Sequence, residues 1–239
     1  QANALREYVL YGDKSNYIDV LPFMDIYYMD EVKLKQAFME AIKYELDIHY
    51  CGQKPVAEVK DILTKNLPLQ EGVQASTSPE IREKKTYENT QVYFLGNSNV
   101  QQATIYFYFN GKPYDKEQNV LFQAFNQYFS GGFTGIVLDE IREKRSMAYT
   151  ASGNMSRGAL PGKKASFMGY IGTQSDKVVE AINVFMSLLD SMPEYPERIE
   201  SVKAALLQYA QISKPDFRSK SETYDAWREM GYEIDPAQY

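Results

Sequence analysis

The sequence predicts an α+β fold, a mostly antiparallel sheet flanked by helices. Strand-like segments come in pairs, 91–95 with 101–109 and 148–156 with 165–172, and each pair is followed by two stretches of helical period. Paired strands separated by helices favour this layered class over alternating crossover units. The chain has 239 residues, of which 44% are hydrophobic and 24% charged. That is an ordinary globular composition, without the apolar poverty of disordered chains, and it supports a sizeable core. Residues 68–86 are polar, carry Pro, Gly and Ser, and lack periodicity, which reads as a linker. The expected organisation is therefore a full domain over 87–239, preceded in 1–67 by the C-terminal part of a similar domain.

The elements follow in order. Val32, Leu34, Phe38, Ile42 and Leu46 fall on one helical stripe with Asp30 as N-cap, predicting a helix over 30–46. Residues 46–51 alternate with period two and stop at Gly52, predicting a strand and a turn. Pro55 suits a first helical position, and Val56, Val59, Ile62 and Leu63 give a second helix its inner face up to Lys65. Residues 91–95 and 101–109 are rich in β-branched and aromatic side chains. In the longer of these, Ile105, Phe107 and Phe109 share one face, and Tyr106 and Tyr108 share the other. A helix over 118–128 sets Leu121, Phe122, Phe125 and Phe129 near one side, the run 130–135 breaks it, and a short helix resumes over 136–144. After the strands at 148–156 and 165–172, Val178, Ile182, Phe185, Met186 and Leu189 mark the inner face of a helix over 175–189. Beyond Pro193 and Pro196, Ile199, Val202, Leu206 and Tyr209 repeat at helical spacing, and the tail around Trp227 reads as partly helical.

Charge and rare residues exclude several functions. The net charge is -6 and the pI about 5.0, which disfavours nucleic acid and anionic membranes as partners. The aromatic strands resemble platforms for single-stranded nucleic acid, but no basic stripe accompanies them. No stretch approaches the ~20 apolar residues of a membrane span. The first residues lack a charged n-region and an apolar h-region, so no signal peptide is expected there, and without an initiator Met the chain is expected to come from a longer parent. Cys51 is the single cysteine, which excludes an internal disulfide and leaves periplasm and cytoplasm equally open. His49 is the single histidine, whereas catalytic zinc sites draw on two or three and Ser-His-Asp devices need one of their own. His49 and Cys51 share one side of the predicted strand, yet no further His or Cys completes a soft metal site, so they read as a buried pair. The glycine run at 130–135 has no following Gly-Lys-Ser/Thr and reads as a helix break rather than a phosphate loop. No cofactor and no metal ligands are expected in this chain.

One segment stands apart. From Asp139 to Tyr149 the charges are dense and then stop at an apolar strand. Arg142 lies near a helix end and Tyr149 at the strand start, a disposition that can bring both to one surface. The same residues also read as a helix C-terminus with dipole-favouring cations and a sheet-packed tyrosine.

The stretch 125–135, followed by Leu138-Asp-Glu-Ile-Arg-Glu-Lys-Arg-Ser-Met-Ala-Tyr149-Thr, resembles the hallmark of the non-catalytic C-terminal domains of pitrilysin-type (insulinase-type) zinc metallopeptidases, the inverzincins. Their run reads Leu-x-x-Glu-Ile-Arg-Glu-Lys-Arg-Gly-Leu-Ala-Tyr-Ser, so Ser146 stands where the family has Gly and Met147 where it has Leu. The likeness covers most of 87–215, and residues 1–66 look like the end of the preceding repeat. The resemblance implies four similar α+β domains in two halves around a closed chamber, with zinc on His-x-x-Glu-His in the first domain. That motif is absent here. The chain would then be the fourth domain plus part of the third. It would be no enzyme alone, but the substrate-binding half of a peptidase acting on peptides or unfolded proteins. Zn2+ would sit in the N-terminal half of the parent, on the same chain or a partner subunit. By the same resemblance Arg142 would hold a substrate carbonyl, and Tyr149 would donate a hydrogen bond to the oxyanion formed when zinc-bound water attacks. The edge strand at 101–109 is a candidate for pairing with substrate by β-augmentation. The alternative is a catalytically inactive scaffold, or a partner subunit of a processing-peptidase-like complex.

Overall fold

Three antiparallel strands, β1 (Gln102–Pro113), β2 (Ala148–Ser156) and β3 (Lys164–Gln174), form one sheet in the order β1-β3-β2. The computed structural model describes residues 1–18, 20–68, 81–158 and 160–236. Helices α5 (Asn119–Ser130), α6 (Ile136–Leu138), α7 (Val178–Asp190) and α8 (Pro196–Ile212) accompany the sheet, as the α+β prediction requires. Strand alternation sorts the side chains. Ile105, Phe107, Phe167 and Ile171 point to the helical layer and join Phe129, Ile136, Val137, Ile141, Ala181, Phe185 and Leu188 in one core.

Aromatic rings dominate this core, and two glycines make room for them. Gly153 and Gly169 are cross-strand partners. A side chain at Gly153 would meet the Phe167 and Phe129 rings, and one at Gly169 the Phe185 ring. Into that hollow the rings settle, with Phe107 stacked on Phe185 at 4.2 Å and Phe125 on Phe129 at 5.2 Å between centroids. Buried Phe side chains are each worth about 1.5–3 kcal/mol of apolar transfer, with a further increment for ring pairs. A second, smaller cluster of Tyr114, Ala165, Met230 and Tyr232, with Phe122 and Trp227 beside it, ties the segment after α9 (Lys220–Glu229) to the sheet.

The opposite face of the sheet is covered in part by α1 (Ala2–Tyr11), a helix the sequence reading does not anticipate. Tyr106 donates to Asn3 at 3.0 Å and lies under the Arg6 guanidinium, while Tyr87 donates to the Val9 carbonyl at 2.6 Å. Of the predicted linker, residues 69–80 lie outside the described residues. Its last residues run between α1 and the sheet: the Lys85 amide donates to the Leu10 carbonyl at 2.7 Å and Lys84 to the Ser166 hydroxyl at 2.7 Å.

Two predicted strands, 46–51 and 91–95, do not form. A strand exists only by pairing, and among the described residues neither segment lies in a sheet. Val92 and Phe94 are 87% and 90% exposed, so alternation there has no face to bury. The predicted helices do form, as α3 (Glu31–Ala41) and α4 (Val56–Asn66), preceded by the short α2 (Phe23–Tyr27). Asp30 caps α3 by accepting from the Lys33 amide at 2.7 Å. Of the predicted α3 stripe only Ile42 is buried, and Val32, Leu34, Phe38 and Leu46 are exposed. On α7 the inward face is shifted, with Ala181, Phe185 and Leu188 buried and Met186 exposed.

Candidate functional site

The segment from Asp139 to Tyr149 departs from regular geometry twice. After α6 the chain widens into a π-helical turn, Asp139–Glu143, in which the Lys144 amide reaches back five residues to the Asp139 carbonyl at 2.9 Å. It closes with two nested bonds, Ser146 amide to Arg142 carbonyl at 2.8 Å and Met147 amide to Ile141 carbonyl at 3.0 Å. Ser146 sits between them at φ 50°, the left-handed region where helix closures favour glycine. The second departure is in β2. Ala148 pairs with Thr173 and Thr150 with Gly172, so Tyr149 is an extra residue, a β-bulge. Bulge and burial agree: Ala148 and Ala151 are buried, and Tyr149 and Thr150 are both exposed. π-turns and bulges each re-aim a side chain, and both are frequent at functional sites.

Together they converge the two residues singled out from sequence. The Arg142 guanidinium lies 5.5 Å from the centroid of the Tyr149 ring. Tyr149 is 75% exposed, not packed into the sheet. Arg142 keeps its Nε 3.3 Å from the Glu143 carboxylate. Behind this surface the turn is anchored. The buried Thr173 hydroxyl donates to the Met147 carbonyl at 2.5 Å. Glu140 is 6% exposed and accepts from Lys144 at 2.6 Å, Arg145 at 2.5 Å and Tyr195 at 2.9 Å. Burial alone would raise the Glu140 carboxyl, but the hydrogen bonds from Lys144, Arg145 and Tyr195 prevail and hold it at about 2. The Lys144 ammonium is raised in turn, first by its hydrogen bond to Glu140 and then by that to Tyr195. Arg198 donates to Asp139 at 2.7 Å and to the Thr134 carbonyl at 2.9 Å, fixing the start of the same turn from α8. Sequence reasoning missed this anchoring, because Tyr195 and Arg198 lie some fifty residues downstream. The bulge left no trace in composition, although Ser146 in a family glycine position signals the left-handed turn.

The remaining candidates do not assemble into a site. His49 sits 3.6 Å from Asp225, on the segment where the predicted strand is missing, and Cys51 is exposed rather than buried. Among the described residues no three of His, Cys, Asp and Glu gather to hold a metal ion. With one His and one Cys in the chain, its donor set does not fit zinc. Among the described residues no helix is long and apolar enough to cross a membrane.

Fold and site together define an α+β domain whose irregular turn and bulge bring Arg142 and Tyr149 to one surface. The family model described as the peptidase M16 inactive domain matches residues 48–206, more than half of the chain, and the chain belongs to that family. No curated protein matches it by sequence. Among solved structures it is similar to a peptidase M16 inactive domain from Pseudomonas fluorescens, at 17% identity and TM-score 0.51, covering 99% of this chain and 59% of that one. A conserved protein from Enterococcus faecalis gives 17% identity and TM-score 0.65, over 99% of this chain and 56% of that one. A protease from Helicobacter pylori gives 13% identity and TM-score 0.54, over 78% and 46% respectively. At these identities the likeness is one of fold. The chain spans roughly half of the length of each.

Proposed function

We propose that this chain is the substrate-clamping half of a zinc metalloendopeptidase that cleaves peptides or unfolded proteins in a closed chamber, with the zinc motif outside the chain. The observation that carries this reading is the Arg142–Tyr149 pair, placed on one exposed surface by a π-turn and a bulge. A guanidinium is a fixed fork of donors suited to a substrate carbonyl. A phenol aimed at developing negative charge on a tetrahedral oxyanion contributes ~10²-fold or more to rate. The partner is the zinc-bearing N-terminal half, on the same chain or another subunit.

Peptide hydrolysis by the assembled parent tests the proposal, comparing wild type with Tyr149→Phe and Arg142→Ala. The expected result is a fall of ~10²-fold in kcat for Tyr149→Phe with KM little changed, and a raised KM for Arg142→Ala. Unchanged turnover in both variants would overturn it. A second reading, an inactive scaffold or partner subunit, draws on the Arg142–Glu143 ion pair, which gives the guanidinium a structural occupation. It is favoured if the wild-type assembly cleaves no peptide at any metal concentration.

A further inference from the structure

Alternate positions of β3 face the helical core: Ala165, Phe167, Gly169, Ile171 and Thr173. The first four are apolar, and the last carries a hydroxyl at 2% exposure. A valine would fill the same volume and suit a strand as well, so packing alone does not call for that hydroxyl. A buried hydroxyl takes a partner, and this one donates to the Met147 carbonyl. Met147 is the joint between the two irregularities of the site. Its amide closes the π-turn on the Ile141 carbonyl, and its carbonyl is held by Thr173. Arg142 precedes this joint and Tyr149 follows it. The pairing register slips between Ala148–Thr173 and Thr150–Gly172, so the hydroxyl acts at the margin of the bulge itself. Thr173 is in turn held from both sides, opposite Ala103 on β1 and Ala148 on β2, in the central strand of the sheet.

We propose that Thr173 is a positioning residue, whose hydroxyl holds the bulge in the form that carries the Tyr149 ring beside the Arg142 guanidinium. A bulge interrupts the ladder, so its place along the strand is fixed by whatever else bonds there. Side chains alternate with period two, and moving the extra residue by one position turns a neighbouring side chain to the other face of the sheet. The Thr173 bond opposes that move by tying the carbonyl before the bulge to the central strand. A phenol stands at the far end of a long side chain, which magnifies any backbone rotation at residue 149. A misplacement of about 1 Å in a reacting geometry can cost on the order of 10²-fold in rate. That Tyr149 acts on a substrate rests on the proposed function; that Thr173 places its ring does not.

The Arg142 guanidinium lies 5.5 Å from the Tyr149 ring centroid, so the ring current shifts the Arg142 side-chain resonances, and NMR on the full chain reads the placement directly. Tyr149→Leu sets the zero of that scale. Thr173→Val, which keeps the shape and removes the donor, is expected to lose most of the shift, whereas Thr173→Ser, which keeps the hydroxyl, is expected to retain it. Ile171→Val serves as the control for stability: it removes a buried methyl from the same strand and lowers the melting temperature, but is expected to leave the shift unchanged. In the assembled peptidase Thr173→Val is expected to lower kcat by about 10-fold with KM little changed, and to lower it no further in a Tyr149→Phe background. The inference is overturned if Thr173→Val keeps the Arg142 shift, if Thr173→Ser loses it as the valine does, or if Ile171→Val loses it too. A full second loss of kcat in the Tyr149→Phe background would likewise overturn it, because Thr173 would then act on the fold and not through Tyr149. If Tyr149→Phe leaves kcat unchanged while Thr173→Val still moves the Arg142 resonances, the oxyanion role falls and the positioning stands.

Discussion

Ser146 holds a backbone conformation that costs an L-residue on the order of 1 kcal/mol and that glycine adopts freely. Ser146→Gly is therefore expected to raise stability by about 0.5–1 kcal/mol, read from the urea midpoint, while leaving the Arg142–Tyr149 spacing intact. A drop in midpoint would mean that the serine side chain supports the turn. Glu140 gives a second prediction at the same scale. Its folded pKa, about 2, lies below the ordinary 4.5 of a free carboxyl. Its contribution is thus present above about pH 4.5 and is lost as pH falls toward about 2. Wild type should lose stability across that window, and Glu140→Gln should show a flatter profile there. At neutral pH the variant is expected to be less stable by about 2 kcal/mol, because three charge-assisted or hydroxyl bonds to a buried carboxylate are weakened at once. An equal acid slope in both proteins would remove Glu140 from this account.

Strand β2 illustrates how an element is finished. It is a sheet edge, yet two of its peptides are occupied from α5. Asn126 accepts from the Met155 amide at 2.7 Å and donates to the Met155 carbonyl at 3.0 Å; Ser130 does the same for Gly153 at 2.6 and 2.8 Å. The helix thus supplies side-chain partners where a fourth strand would supply main-chain ones. Asn126→Ala should cost about 2 kcal/mol and accelerate amide exchange at Met155, with Gly153 unaffected. Faster exchange at neither amide would show that the helix does not close this edge. Elements with a local signal were legible in the sequence: the Asp30 cap, the Phe107–Phe109 face and the strands at 148 and 165 all follow from neighbours within a few residues. Those that depend on distant partners were not. Residues 46–51 alternate like a strand but pair with none, and α1 has no side-chain cap to announce it. Arg142 and Tyr149 could be named from sequence, but the bulge that exposes Tyr149 exists only in the register between β2 and β3.

Across the whole molecule, the sheet is a wall with two unlike sides. One is an aromatic core roofed by helices. The other carries tyrosines, covered at its middle by α1 and by the strip after residue 81, and polar at its end. Removing residues 1–14 should uncover Tyr106 and Tyr108, lower stability by about 3 kcal/mol through lost burial of Leu10 and its contacts, and leave the Arg142–Tyr149 turn in place. An unchanged urea midpoint would show that α1 adds nothing to the fold.

That cover has a kinetic consequence. The bond from Tyr106 to Asn3 joins residues 103 positions apart, and that from Tyr87 to Val9 spans 78. The β2–β3 hairpin, by contrast, closes across a short connection. Loop closure over long separations is entropically costly and slows folding, so the hairpin and its helices can form while α1 is still unattached. On a ribosome α1 is made before the strands it covers, and its seat on the sheet is completed only when β3 follows far behind, so the order of synthesis is the reverse of the order of docking.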